Sequence, residues 1–221
     1  DDVLPLRLYY MQMVHRASSF HRGHSTEVMQ AGAELLGARG MMADIDILTT
    51  AFAALAAVRG ETFRIELSYA AIYKELIQSL NVDAETAERI RSNIENKSYA
   101  ALGDELEPYQ DREAYRALKA MPNLFGGSEV LDELAGLTDN PGVLKAVAYL
   151  KNLIDAITNA GYGENVMIDL GLVQEIDYYT GLMFRGYMGG AGSPVLAGGR
   201  YDNLCAKFGR DIPATGFAID I

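Results

Sequence analysis

One cysteine, no tryptophan and six prolines are all that 221 residues hold of three residue types that usually mark a fold. Cys205 has no partner in the chain, so a disulfide framework is excluded and a reducing, cytoplasmic setting is expected. No run of about 18 apolar residues exists, and the nearest approach, Ala51 to Val58, is short and Ala-rich, which argues against a membrane-spanning helix. The opening Asp1-Asp2 offers neither a basic segment nor an apolar one, so no signal peptide is expected. Basic charge is scarce as well: 19 Lys and Arg against 30 Asp and Glu leave a formal net charge of −11. Nucleic-acid binding depends largely on neutralising phosphates, so this balance argues against DNA or RNA as a partner. Repeats and low-complexity tracts are absent.

What is present is the composition of a globular protein, 49% hydrophobic and 22% charged. Three textures follow one another. Residues 1–68 open with Leu6-Arg7-Leu8-Tyr9-Tyr10-Met11, an apolar and aromatic run that reads as a strand. After a polar stretch, Val28 to Gly37 resumes an extended pattern, with helix as the competing reading, and the pair suggests a hairpin with a long connection. Ala43 to Val58 carries Ile45, Leu48, Phe52 and Leu55 at helical spacing, and Thr62 to Leu67 alternates as a strand. Residues 69–163 read as a helical insertion: Ile72, Leu76, Ile77 and Leu80 keep the helical period, Asp83 is placed as an N-cap, and Leu144 to Ala160 forms a last amphipathic helix before Gly161. Residues 164–221 return to β texture, with strands expected at Val166–Leu170, Asp177–Phe184 and Val195–Gly199. Strands at both ends with helices between them predict an α+β fold built on an antiparallel sheet.

Candidate chemistry is sparse. His15, His21 and His24 lie close together, but no carboxylate or thiolate completes a metal-ligand spacing, so a solvated loop without metal is expected. Gly189 to Gly192 lacks the Lys-Ser/Thr of a phosphate loop and sits between strands, as a hairpin turn does. Asp177-Tyr178-Tyr179-Thr180-Gly181 and Gly198-Gly199-Arg200-Tyr201-Asp202 are more informative. Tyrosines on a sheet face can line a small-ligand pocket, or can pack as ordinary cross-strand pairs, and composition leaves both readings open.

Taken together, these two segments resemble the two histidine-recognition motifs of histidyl-tRNA synthetases. Arg16 to Glu34, ending Gln30-Ala31-Gly32-Ala33-Glu34, resembles the second class II synthetase motif, and Pro213-Ala214-Thr215-Gly216-Phe217-Ala218-Ile219 resembles the opening of the third. The resemblance implies a class II aminoacyl-tRNA synthetase-like catalytic domain, an antiparallel sheet flanked by helices with a helical insertion, and a homodimer. A first motif would precede Asp1, and the third would run past Ile221. It further implies a histidine pocket, with Gln30 and Glu34 toward an ammonium group, Arg16 toward a carboxylate, and Tyr178, Tyr179 and Tyr201 around an imidazole.

The departures bear on ATP. Adenylate formation needs cations where charge develops on the α-phosphate. The family introduces its Asp-Tyr-Tyr segment with arginine and glycine, whereas this chain has Gln174-Glu175. Ser18 stands where the family places an adenine-holding glutamate, Val28 replaces the aromatic that stacks on the base, and His24 replaces an arginine for the terminal phosphate. A synthetase-like frame with its nucleotide site lost is similar to the regulatory subunits of ATP phosphoribosyltransferase. That similarity implies a non-catalytic, cofactor-free protein that activates the short-form catalytic subunit in the first step of histidine biosynthesis and helps mediate feedback inhibition by L-histidine. An active histidyl-tRNA synthetase is the alternative, and a free-standing histidine-binding module with another partner is a third reading.

Overall fold

The computed structural model describes residues 3–15, 27–58, 62–174 and 178–221. In chain order the elements are β1 (Leu6–His15), β2 (Glu27–Leu36), α1 (Met41–Ala56), β3 (Phe63–Tyr69), α2 (Ala70–Leu80), α3 (Ala84–Glu95) and α4 (Tyr99–Leu106). They continue with α5 (Ala114–Ala120), β4 (Phe125–Gly126), α6 (Glu129–Ala135), α7 (Pro141–Ile157), β5 (Val166–Asp169), β6 (Leu182–Met188), β7 (Leu196–Arg200) and β8 (Ala214–Asp220). The chain forms two compact units, residues 1–63 with 185–221, and residues 64–184.

The first unit is an antiparallel sheet backed by a helix. β1 and β2 pair from Leu6↔Leu36 to His15↔Glu27, so the extended reading of Val28–Gly37 prevails over the helical one. β2 continues onto β8 (Gln30↔Asp220 to Leu36↔Ala214), and β8 onto β7 (Leu196↔Ile219 to Arg200↔Thr215). Paired residues point to the same side of an antiparallel sheet and successive residues alternate, so two faces are defined. One face carries Leu35, Leu196 and Phe217, all buried, beneath α1. That helix presents Ala43, Asp44, Ile47, Leu48, Ala51, Phe52 and Leu55 inward, the three-and-four spacing of an amphipathic helix. Each fully buried Leu or Phe there contributes about 1.5–3 kcal/mol relative to an exposed one. The second face is the polar one described below.

The second unit is largely helical. Asp83 caps α3, accepting from the Thr86 N–H at 2.9 Å, a contact that holds its carboxyl below the usual range. Asn140 caps α7 by accepting from the Gly142 and Val143 N–H groups at 2.9 and 3.1 Å, with Pro141 in the first-turn position it suits. The helix starts three residues before the expected Leu144 and gives way at Thr158 to a π-helical turn that runs to Tyr162. α2 packs on α5 and α7, α3 on α4, and α6 on α7, around Leu76, Leu80, Ile90, Ile94, Leu150 and Leu153. The antiparallel expectation needs one addition: β3 pairs in parallel with β5 (Ile65↔Val166 to Leu67↔Ile168), which in turn pairs antiparallel with the unforeseen two-residue β4.

The strand expected over Asp177–Phe184 is a correction. β6 starts only at Leu182, and Tyr178 to Gly181 form turn and bend. The rings of Tyr178 and Tyr179 meet edge to face, 4.6 Å apart at 84°, whereas neighbours in a strand project to opposite faces. Among the described residues, no helix is long and apolar enough to cross a membrane.

Candidate functional site

The period of two along β2 puts Val28, Gln30, Gly32 and Glu34 on the sheet face opposite α1. Their β8 partners on that face are Asp220, Ala218 and Gly216, and β1 contributes Tyr10 and Gln12. Two polar nodes stand on it. At one end the Tyr201 hydroxyl donates to the Glu34 carboxylate, joining residues 167 positions apart. At the other, the Tyr10 hydroxyl donates to Gln30 Oε1 at 2.7 Å, and Gln30 Nε2 donates to Asp220 Oδ1 at 3.2 Å. The ground between them is small because it must be. A Cβ on Gly32 would strike the Tyr10 ring, and one on Gly216 would fall on the Glu34 carboxylate.

Glu34 is half-buried, and desolvation pushes its carboxyl above the ordinary range, with the Tyr201 hydrogen bond partly offsetting the rise. A carboxyl raised in the folded state binds more protons there than in the unfolded chain, so its contribution to stability falls as pH rises through that folded value. Glu34→Gln keeps an acceptor for Tyr201 and removes the buried charge. The variant is therefore expected to match or exceed the wild-type melting temperature at pH 8, and to lose that advantage as the pH is lowered to 4. Thermal denaturation of both proteins across that range checks it. A gap that widens toward acid pH would show that Glu34 is not the group responsible.

Tyr201 is held in place from the other face. The Arg200 side chain is 7% exposed and lies between α1 and the loop after β7. Its Nε and Nη2 reach Asp44 Oδ1 at 2.9 and 2.6 Å, its Nη1 reaches Asp202 Oδ1 at 3.0 Å, and the carbonyls of Ala38 and Gly40 accept at 3.3 Å. Burial works against the Arg200 charge, yet the two carboxylates outweigh it and keep the guanidinium more firmly protonated than in water.

The Gln174 segment belongs to the second unit. Asp169 Oδ1 accepts from the Gly171 N–H at 2.9 Å, Leu172 and Val173 are buried, and Arg91 Nη1 donates to the Val173 carbonyl at 3.1 Å. Arg91 is itself gripped by Glu88 and Glu95, both at 2.6 Å, which keep its charge in place. Gln174 follows this clamp, half-buried.

Of the residues singled out in the sequence, the structure brings Gln30, Glu34 and Tyr201 to one face, with Val28 at its edge beside Val14. Tyr178 and Tyr179 pack on each other in the second unit. Arg16, Ser18, His21, His24, Glu175 and Asp177 lie outside the described residues. His15 stands exposed, its Nδ1 3.7 Å from Glu27, and among the described residues no group of three or more His, Cys, Asp or Glu is arranged for a metal. Cys205 is a free thiol. Tyr10, Asp44, Arg91 and Asp220 went unread as site residues. Asp44 alone left a signal, because it falls on the apolar stripe of α1 with Ile47 and Leu48. Along β1, β2, β8 and β7 this face supplies two carboxylates and no Lys or Arg, since Arg7 and Arg200 project to the other side and pair with Asp46 and Asp44 of α1. On β6, Gly186 lies against Leu55 of α1, so alternation places Arg185 on the polar face.

Comparison with known proteins gives a consistent picture. Residues 2–221 match the histidyl-tRNA synthetase family. The ATP phosphoribosyltransferase regulatory subunit of Clostridium kluyveri is 38% identical over 224 residues, covering 100% of this chain and 57% of that protein. Its counterpart in Clostridium acetobutylicum is also 38% identical, over 100% of this chain and 55% of that protein. A crystal structure from Bacillus halodurans, described as an ATP phosphoribosyltransferase regulatory subunit/histidyl-tRNA synthetase, is similar at a TM-score of 0.88 and 30% identity, covering 99% of this chain and 57% of that one. The chain thus spans little more than half the length of these relatives.

Proposed function

The chain belongs to the histidyl-tRNA synthetase family, and we propose that within it this protein acts as a non-catalytic regulatory subunit of ATP phosphoribosyltransferase. In this reading it joins the short-form catalytic subunit in the cytoplasm, as a homodimer within the larger assembly, activates the first step of histidine biosynthesis, and helps transmit inhibition by L-histidine. It needs no cofactor of its own. The names of the relatives support the assignment, and one observation carries it: Gln174, an uncharged amide, where adenylate chemistry requires a cation. The two carboxylates Glu34 and Asp220 on one face support the same reading, since each can accept from a ligand's ammonium group.

The retained pocket supplies the means of regulation. If histidine binds one arrangement of the assembly better than another, its binding shifts the population toward that arrangement by the difference in affinity. A typical coupling of about 1–3 kcal/mol changes apparent affinity roughly 5–150-fold, enough for feedback control.

Two assays on one preparation test the proposal. Mixed with a short-form ATP phosphoribosyltransferase, the protein is expected to co-elute with it, raise its turnover, and make it sensitive to histidine. In histidine-dependent pyrophosphate exchange it is expected to be silent. Gln174→Arg is expected to remain silent too, because one restored cation leaves the acid-lined face, Val28, Ser18 and His24 unchanged. Robust exchange by the wild type would establish the synthetase reading instead, and exchange by Gln174→Arg alone would show the nucleotide site to be nearly whole.

A further inference from the structure

Gln30 is the residue of the amino-acid pocket whose orientation matters most, since an amide offers a donor at one end and an acceptor at the other. Two neighbours decide which end goes where. Asp220 sits directly across from Gln30 in the β2–β8 register and accepts from its Nε2 at 3.2 Å. An ionised carboxylate can only accept, so it draws the amide nitrogen toward β8 and turns the carbonyl toward β1. There Tyr10 donates to Gln30 Oε1 at 2.7 Å, its ring lodged over Gly32 where no side chain larger than hydrogen fits. Glu34 and Tyr201 stand four residues further along β2, about 13 Å at the rise of a strand, across a floor of Gly32, Gly216 and Ala218.

We propose that Asp220 is a specificity-determining residue of this pocket: it fixes the Gln30 amide and makes the Gln30 end select the ligand's ammonium group. The proposal rests on the histidine-pocket reading, changed in one respect, that Glu34 stays with its partner Tyr201 at the imidazole end, and adds to it the discrimination. A ligand with a ring nitrogen at the Glu34–Tyr201 node and an ammonium at the Gln30–Asp220 node spans the floor between them. One carrying an anionic group at that second node meets a like charge, and one lacking the ammonium gives up the attraction.

Calorimetric titration of the protein with L-histidine and with imidazole-4-propionate, which lacks the ammonium group, tests this. Wild type is expected to prefer L-histidine. In Asp220→Asn, which keeps the shape and removes the charge, L-histidine is expected to bind at least about tenfold more weakly while imidazole-4-propionate is unchanged, so the preference shrinks. Asp220→Ser serves the same comparison should the Asn variant prove insoluble. Equal weakening of both ligands, or of neither, would overturn the role of Asp220 while leaving the pocket standing. Absence of L-histidine binding to wild type would overturn the pocket itself, and this proposal with it.

Discussion

Asp44→Ala is expected to cost about 3–5 kcal/mol of folding stability, the range for stranding a buried charge by removing its partner. Arg200 is 7% exposed at its side chain and Asp44 is 1% exposed, so neither is easily rehydrated in place. The variant takes the shared carboxylate from Arg200 Nε and Nη2, while the Gly40 carbonyl stays 3.3 Å from Nη2. Asp202 stays on Nη1 at 3.0 Å, which sets the expectation toward the lower end of that range. The effect should not stop at stability. Tyr201 follows Arg200 directly, and its hydroxyl bonds Glu34, so a guanidinium seeking water pulls Tyr201 away from Glu34 with it. Urea denaturation monitored by circular dichroism measures the first effect, as a lower midpoint at unchanged slope. The paired substitution Asp44→Leu with Arg200→Met is expected to recover most of the loss, because two apolar groups of similar volume remove both buried charges, and Asp202, partly exposed, keeps the Ala214 N–H at 3.1 Å. A loss below about 1 kcal/mol for Asp44→Ala would mean that Asp202 and the backbone carbonyls hold Arg200 unaided.

That ion pair also marks the limit of what a sequence reveals. Features governed by neighbours along the chain were legible: the extended run of β1, the three-and-four spacing of α1, the cap at Asp83. Each depends on bonds or faces within a few residues. Asp44 and Arg200 lie 156 positions apart, so although the place of Asp44 on an apolar stripe signals a buried partner, nothing local names Arg200 as that partner. Asp220 left no such signal, since its significance lies in the register that sets it against Gln30. The parallel pairing of β3 with β5 spans nearly the whole helical segment, and no local pattern encodes it. Tyr178 and Tyr179 show the opposite failure. Their strong β preference suggested a strand continuing into Leu182, but Gly181 breaks the run, and its carbonyl accepts from the Ala70 N–H at 2.9 Å instead.

Gln30, Glu34 and Tyr201, the residues of the proposed pocket, came from resemblance rather than from pattern, and the place of the Glu34 carboxylate beside Tyr201 is one that Gly216 leaves open. Gly216→Ala is expected to weaken L-histidine binding roughly 10–150-fold, the equivalent of losing a hydrogen bond to a charged group worth about 1.5–3 kcal/mol. The added methyl would occupy the place of the Glu34 carboxylate and approach the Ala33 carbonyl oxygen to 2.7 Å. Glu34 can swing away, because it is the far end of a flexible side chain, and in leaving it abandons Tyr201. The Ala33 carbonyl belongs to the β2 backbone and cannot swing, so the β2–β8 ladder must also part slightly, and some stability goes with it. Calorimetry on wild type, Gly216→Ala, Glu34→Ala and the double variant separates the two effects. If displacement of Glu34 is the mechanism, Gly216→Ala adds little to a protein that already lacks that carboxylate, and the two single losses fail to sum. Additive losses would place the damage in the strand pairing. Unaltered binding by Gly216→Ala would remove Glu34 from the pocket altogether.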